Sequence, residues 1–153
     1  MRILGINCMN HDAAMAVVEY QAGVGKILWA AHSERYSKIK NDHYLNWGIV
    51  NEANKYGPFN KVVYYEKPLL KKTRQFYAGQ YAEALAQSEM PQWHLDQFHI
   101  KIDEYVLHHD SHAAAGYFTS PFREATILTV DAIGEWDTVS ISTARGRNVE
   151  RKE

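Results

Sequence analysis

The sequence has one cysteine, no long apolar run and almost no net charge, and each shortage excludes a class of protein. Because Cys8 is the one cysteine among 153 residues, the chain cannot hold an internal disulfide framework. No apolar segment approaches the roughly 20 residues that span a bilayer, so we expect no membrane partner. The net charge of -1, without a basic run, argues against a nucleic-acid partner held by phosphate contacts.

The N-terminal segment also lacks a charged leader, an apolar signal region and a cleavage site, since its first residues already have the pattern of a strand. Together with the scarcity of cysteine, this predicts a cytoplasmic protein. A length of 153 residues is that of one domain, with enough chain for a hydrophobic core.

Histidine, by contrast, is abundant, with 8 residues in the chain. His108 and His112 are four positions apart in a segment that leads into an Ala-rich helix, predicted over Asp110 to Phe118 with Asp110 as its N-cap. Side chains at this spacing lie on one face of a helix, so the two imidazoles can converge on one metal ion.

Asp131 is the candidate third ligand, because it ends the apolar strand predicted from Ala125 to Val130 and precedes a turn at Gly134. In a parallel or mixed α/β sheet, such strand ends present ligand-binding groups. Two imidazoles and one carboxylate suit iron(II), zinc or manganese. Each part has a plainer reading, as a chance histidine pair or a turn aspartate, and the combination favours the metal site.

The start of the chain predicts three antiparallel strands, at residues 2–8, 13–19 and 26–32. Three such strands at the start of an α/β chain suggest a ribonuclease-H-like unit with a mixed sheet flanked by helices, the repeat of actin-like ATPases. In that architecture the first hairpin faces the nucleotide phosphates, and here it carries Asn7, His11 and Asp12.

Further along, the pattern predicts a helix at residues 45–56 capped by Asn41 or Asp42, a strand at 61–65 and a helix from 69 to about 87. Within the last helix we expect a stripe of core side chains at i+4 steps, formed by Thr73, Tyr77, Tyr81 and Leu85. His94 and His99 are predicted to be surface histidines.

Five ordered motifs resemble one family, the O-carbamoyltransferases that modify nodulation factors and antibiotics. The motifs are Ile3-Leu4-Gly5-Ile6-Asn7 with His11-Asp12-Ala13-Ala14, Ser33-Glu34-Arg35-Tyr36 with Lys38 and Lys40, Tyr64-Tyr65-Glu66-Lys67-Pro68-Leu69-Leu70, His108-His109-Asp110-Ser111-His112-Ala113-Ala114, and Asp131 to Trp136. They cover nearly the whole chain in the order of the family.

The resemblance implies an N-terminal actin-like ATPase-type domain of two duplicated halves, followed by a second domain that makes carbamoyl-adenylate from carbamoyl phosphate and ATP. The N-terminal domain then transfers the carbamoyl group to a hydroxyl of a small-molecule acceptor. By motif position, the implied roles are metal binding for His108, His112 and Asp131, catalysis for His11, Asp12 and Lys40, and nucleotide binding for Asn7, Gly134 and Glu135.

The chemistry of these side chains suits such roles. A carboxylate such as Asp12 can act as base toward the acceptor hydroxyl, and Lys40 can neutralise a phosphate. Without the resemblance, Lys38 and Lys40 would be read as parts of a solvated loop.

The sequence departs from the family in two places. Ala132 stands where the family usually has glycine, and its methyl group could crowd a phosphate or forbid a positive φ. The sequence also stops at Glu153, so we expect a first subdomain at residues 1–123 and a truncated start of the second at 124–153. That start is predicted to be a two-stranded ribbon, which self-associates or pairs with the missing C-terminal part, and the isolated chain is expected to be inactive.

Two other functions are compatible with the sequence. The chain could be a non-catalytic metal- or nucleotide-binding module that docks a partner chain, a reading that Ala132 and the early stop favour. It could also be a threonylcarbamoyl-type transferase acting on transfer RNA, which shares the two-histidine motif. The segment from Tyr65 to Pro68 points away from that second possibility.

Overall fold

A computed structural model describes residues 1–152 of the chain. The strands are β1 (Arg2–Asn7), β2 (Ala14–Gln21), β3 (Val24–His32), β4 (Lys61–Tyr64), β5 (Glu104–Tyr105), β6 (Glu124–Gly134), β7 (Asp137–Arg145) and β8 (Asn148–Arg151). The helices are α1 (Glu34–Ser37), α2 (Trp47–Asn54), α3 (Pro68–Tyr77), α4 (Tyr81–Leu85), α5 (Pro91–Asp96) and α6 (His108–Phe118).

The chain divides into two compact units. The first unit contains residues 1–65 and 86–105, and the second contains residues 66–85 and the chain from Val106 onward. The predicted boundary between residues 123 and 124 coincides with the start of β6. The assignment of two subdomains at that boundary stays a prediction.

The first unit is built on a five-stranded mixed sheet in the order β3-β2-β1-β4-β5. Strand β2 runs antiparallel to β1 and β3, whereas β1, β4 and β5 run parallel to one another. The first three strands lie within two residues of the predicted ranges 2–8, 13–19 and 26–32. The predicted α/β class with a mixed, ribonuclease-H-like sheet flanked by helices is confirmed.

Helix α2 packs on this sheet through Ile49, Val50 and Ala53, which are all fully buried. Its N-cap is Asn46, whose side chain accepts hydrogen bonds from Gly48 N and Ile49 N at 2.9 and 3.2 Å. The predicted caps Asn41 and Asp42 are therefore wrong, because they lie in the loop that precedes the cap.

His94 is buried in this unit, with 7% of its surface exposed, and its Nε2 accepts a hydrogen bond from Leu45 N at 3.2 Å. The prediction of a surface position is wrong for His94, because its ring is buried and accepts the N–H of Leu45 in the loop before α2. It is confirmed for His99, which is exposed.

The second unit contains a three-stranded antiparallel sheet in the order β6-β7-β8. The prediction of a two-stranded ribbon missed a strand. A third strand, β8, pairs with β7, so that β7 lies in the centre of the sheet. Helix α6 packs on one face of this sheet. The other face carries exposed apolar side chains in cross-strand pairs, Leu128 with Ile141 and Val130 with Val139.

The predicted helix from residue 69 to 87 is two helices, α3 and α4, separated by Gly79 at a φ of 80°. The i+4 register is lost at this break. The predicted core stripe is wrong, because Tyr77, Tyr81 and Leu85 are 86%, 57% and 74% exposed. In the part of the chain that the structure describes, no helix is long and apolar enough to cross a bilayer.

Candidate functional site

Three potential metal ligands meet in the second unit. His108 Nε2 lies 3.0 Å from His112 Nε2 and 2.8 Å from Asp131 Oδ2, and His112 Nε2 lies 3.9 Å from the same carboxylate oxygen. His108 is buried, Asp131 is partly exposed and His112 is half-exposed. The cluster is therefore fixed on its inner side and open to solvent at His112.

Helix α6 places the two histidines. It begins at His108, two residues before the predicted start, so that His108 and His112 share one face with their ring centroids 4.7 Å apart. Asp110 is not the N-cap, because it lies inside the first turn, where its charge interacts favourably with the helix dipole. The helix has no side-chain cap from its N-cap residue Leu107.

Strand β6 supplies the carboxylate. The pairing of β6 with β7 shifts between Val130 and Gly134, and Asp131 lies in this irregular stretch. A bulge of this kind redirects side chains near a functional site. The Ala132 N–H donates to Asp131 Oδ1 at 2.7 Å, which leaves Oδ2 for the histidines.

Electrostatics favour the metal-binding forms of two of these side chains. Burial lowers the pKa of His112, and the neighbouring His108 lowers it further. Partial burial raises the pKa of Asp131, but the hydrogen bond from Ala132 and the contact with His108 outweigh burial and hold this pKa below its usual value. A neutral imidazole and an ionised carboxylate are the forms that bind a metal ion.

Gly134 lies where the histidine rings approach the backbone. A β-carbon at this position would lie 2.8 Å from His108 Cγ and 2.9 Å from His109 Cδ2, closer than such atoms normally come. Glycine therefore lets the end of β6 pack directly on the two rings.

Glu135 follows in the turn between β6 and β7 and is 3% exposed. Its carboxylate accepts hydrogen bonds from Lys67 N at 2.7 Å and from His108 N at 3.1 and 3.2 Å. That Gly134 and Glu135 contact a nucleotide stays a prediction.

His109 is a residue of this region that the sequence analysis did not single out. It is 1% exposed, and its Nδ1 lies 2.9 Å from Ser140 Oγ on β7. Its Nε2 has no hydrogen-bond partner among residues 1–152. The available signal was its position one residue after His108, which turns it about 100° away from the metal-facing side and toward the sheet.

The donor set fits a divalent transition metal. Ligand atoms that share one zinc ion at about 2.1 Å in tetrahedral geometry lie about 3.4 Å apart, close to the 2.8 to 3.9 Å found here. Two imidazole nitrogens and one carboxylate oxygen also suit iron(II) or manganese. That the cluster binds a metal stays a prediction.

The predicted catalytic residues belong to the first unit. His11 Nδ1 lies 2.9 Å from Asp12 Oδ2, and Asn7 Nδ2 donates to the carbonyl of Asp12 at 3.4 Å. Asp12 adopts a positive φ of 55° in this connection between β1 and β2. The structure thus brings Asn7, His11 and Asp12 together at one end of the sheet.

Lys40 lies in the exposed loop between α1 and α2. Two residues of the same loop accept hydrogen bonds from the β1–β2 connection, Asp42 O from Ala13 N at 2.7 Å and His43 O from Met9 N at 2.8 Å. The loop that carries Lys40 is therefore attached to the segment that carries His11 and Asp12.

Comparison with known proteins gives a family and a relative. The family model described as "Carbamoyltransferase N-terminus" matches residues 74–151, just over half of the chain. An uncharacterized protein of Synechocystis sp. is 29% identical over 175 aligned positions, which cover 96% of this chain. The chain spans 28% of the length of that relative.

Two solved structures of Aquifex aeolicus proteins also resemble the chain. The PPX-GPPA enzyme is 11% identical with a TM-score of 0.42, and the type II variant of the Ppx/GppA phosphatase is 12% identical with a TM-score of 0.36. In each case 99% of this chain and 52% of the other are covered. The fold assignment rests on the strand order and not on these similarities.

Proposed function

The chain belongs to the carbamoyltransferase N-terminus family, and from this premise we propose that it takes part in carbamoyl transfer from carbamoyl-adenylate to a hydroxyl of a small molecule. The adenylate would be made from carbamoyl phosphate and ATP by another part of the full-length enzyme. The observation that carries this proposal is the His108, His112 and Asp131 cluster, which lies within the matched residues.

In the proposed step, the acceptor hydroxyl oxygen forms a bond to the carbamoyl carbon. The bond from that carbon to the phosphate oxygen breaks, and AMP leaves. Asp12 accepts the hydroxyl proton as general base, and His11, whose Nδ1 is 2.9 Å from the Asp12 carboxylate, orients that base. Lys40 neutralises charge on the departing phosphate.

His108, His112 and Asp131 would hold a divalent ion, which would supply Lewis-acid stabilisation or anchor a phosphate. Asp131 contributes the anionic ligand, and the two imidazoles are held at the right spacing by α6. Half-exposed His112 leaves the cluster accessible to a ligand from solvent.

Metal binding is the first test. The purified chain should bind about one zinc or iron(II) ion, and a His108→Ala, His112→Ala double variant should bind none. His99→Ala is the matched control, because His99 is an exposed histidine outside the cluster. Equal metal content in the wild type and the double variant would remove the metal site from the proposal.

A second candidate is a non-catalytic metal- or nucleotide-binding module that docks a partner chain. The exposed apolar face of the β6-β7-β8 sheet favours it, because large exposed apolar patches mark interaction surfaces.

AMP binding separates the carbamoyltransferase from a docking module that binds metal alone. A carbamoyltransferase part should bind AMP in calorimetry and lose affinity in Lys40→Ala. Lys38→Ala is the control, because Lys38 is a lysine of the same segment whose Nζ already donates a hydrogen bond to the carbonyl of Arg35 at 2.7 Å. A chain that binds metal but not AMP would favour the docking module.

A further inference from the structure

Glu135 links the turn after β6 to two helices, and we propose that it is a positioning residue for the metal site. It would set the position of His108 relative to Asp131, a role that rests on the proposed metal-binding function. The carboxylate is 3% exposed and accepts the N–H groups of Lys67 and His108, which precede and begin α3 and α6.

Both helices lack a side-chain cap of their own at the N-terminus. Neither Lys67, the N-cap of α3, nor Leu107, the N-cap of α6, makes a side-chain cap hydrogen bond. Backbone N–H groups at a helix start need an acceptor, and the helix dipole favours an anion there. Glu135 meets both requirements for both helices.

The same carboxylate fixes the metal ligands relative to each other. Glu135 is four residues after Asp131 on the same strand and turn, and it holds the backbone of His108 at 3.1 and 3.2 Å. Gly134, between them, packs on the His108 ring. The strand that carries Asp131 is thereby attached to the first residue of the helix that carries both histidines.

The turn has a second attachment to α3. Trp136 and Tyr77 form an edge-to-face ring contact with centroids 6.2 Å apart. Glu135 itself has a φ of 48°, a left-handed conformation that a non-glycine residue adopts when surrounding contacts hold it there. The turn is therefore held from α3 and from α6 together.

This geometry favours positioning over the predicted nucleotide contact. Both carboxylate oxygens already accept N–H groups of the protein. A buried carboxylate would also repel a phosphate placed against it, because two like charges share a poorly solvated site.

The test separates the length of the Glu135 side chain from its charge. Glu135→Asp keeps the charge but is one methylene shorter, so it cannot reach both N–H groups, whereas Glu135→Gln keeps the length and one acceptor oxygen. Glu124→Asp and Glu124→Gln are the controls, because Glu124 is exposed on the same strand. Zinc affinity is measured by competition with a chelator, the cobalt(II) absorption spectrum reports ligand geometry, and circular dichroism confirms folding.

We expect Glu135→Asp to bind zinc about 10- to 100-fold more weakly and to show a changed cobalt(II) spectrum. Mutation of a residue that orients a metal ligand typically costs this much affinity. Glu135→Gln should recover part of the affinity, and the Glu124 variants should match the wild type. Wild-type zinc affinity and spectrum in folded Glu135→Asp would overturn the positioning role, as would a larger loss in Glu135→Gln than in Glu135→Asp.

If Glu135→Asp does not fold, Glu135→Gln decides, and an unchanged affinity and cobalt(II) spectrum there would overturn the inference. A wild-type chain that binds neither ion would instead overturn the metal site, and this inference with it.

Discussion

In the first unit, the buried side chains are mostly apolar and form one cluster that includes Leu4, Met15, Ile49 and Tyr64. In the second unit, the buried side chains are mostly polar or ionisable, and those around the candidate site are His108, His109, Glu135 and Ser140. The apolar side chains of that unit are largely exposed, as Leu128 and Val130 show.

The difference separates two ways of holding a structure. Apolar burial stabilises the first unit without directionality, at roughly 25 cal/mol for each Å² removed from water. Hydrogen bonds hold the site in the second unit, and each contributes little net stability but fixes geometry. The residues that could bind a metal lie in the second unit, where directional hydrogen bonds fix the positions of the buried side chains.

The largest expected contrast lies between two leucines. Leu4→Ala in the first unit should lower the free energy of unfolding by about 2–5 kcal/mol, because Leu4 is 1% exposed and the change leaves a cavity. Leu128→Ala in the second unit should change it by less than about 0.5 kcal/mol, because Leu128 is 63% exposed. Urea unfolding of both variants measures the contrast, and equal costs would break the comparison.

A smaller effect should follow from a methyl group placed in the site. Gly134→Ala should cost about 1–3 kcal/mol and weaken zinc binding, because its β-carbon would press on the rings of His108 and His109. The free energy of unfolding and the zinc affinity are measured on the same samples.

Gly116→Ala is the matched control for that variant. Gly116 lies in α6 with open space around its missing β-carbon, so alanine there should stabilise the helix by about 0.5–1 kcal/mol. A Gly134→Ala variant as stable as Gly116→Ala would show that the polar interior tolerates crowding.

Local patterns predicted most of the first unit. Strands β1, β2 and β3 and the sheet class follow from short apolar segments separated by short turns. The meeting of His108 with His112 follows from their spacing, because four residues make about one helical turn. These features depend on neighbours in sequence.

Long-range contacts were beyond reach of the sequence. Glu135 accepts hydrogen bonds from Lys67, which is 68 positions away, and from His108, which is 27 positions away. No local sequence pattern marks such contacts. The stripe of Tyr77, Tyr81 and Leu85 has helical spacing, but spacing does not say which side of a helix is covered, and the break at Gly79 ends the register. His94 was misplaced for the same reason, since its partner Leu45 is 49 positions away.

The smallest expected effect is a loss of stability at low pH. It tests whether one buried histidine makes the apolar first unit sensitive to acid. Burial lowers the pKa of His94, and the charge of Asp42 opposes this only in part. The folded state therefore prefers neutral His94, whose Nε2 accepts the N–H of Leu45.

Because the folded pKa lies below the unfolded value of about 6.5, the stability from neutral His94 is complete above that pH and declines as the pH falls below it. His112 titrates in the same direction, so the wild type should lose stability from both residues. Urea unfolding from about pH 7 to about pH 5 should show a shallower loss in His94→Gln than in the wild type, while His99→Gln, changed at an exposed histidine, should follow the wild type. If His94→Gln lost stability as steeply as His99→Gln, buried His94 would not contribute to the acid sensitivity of the first unit.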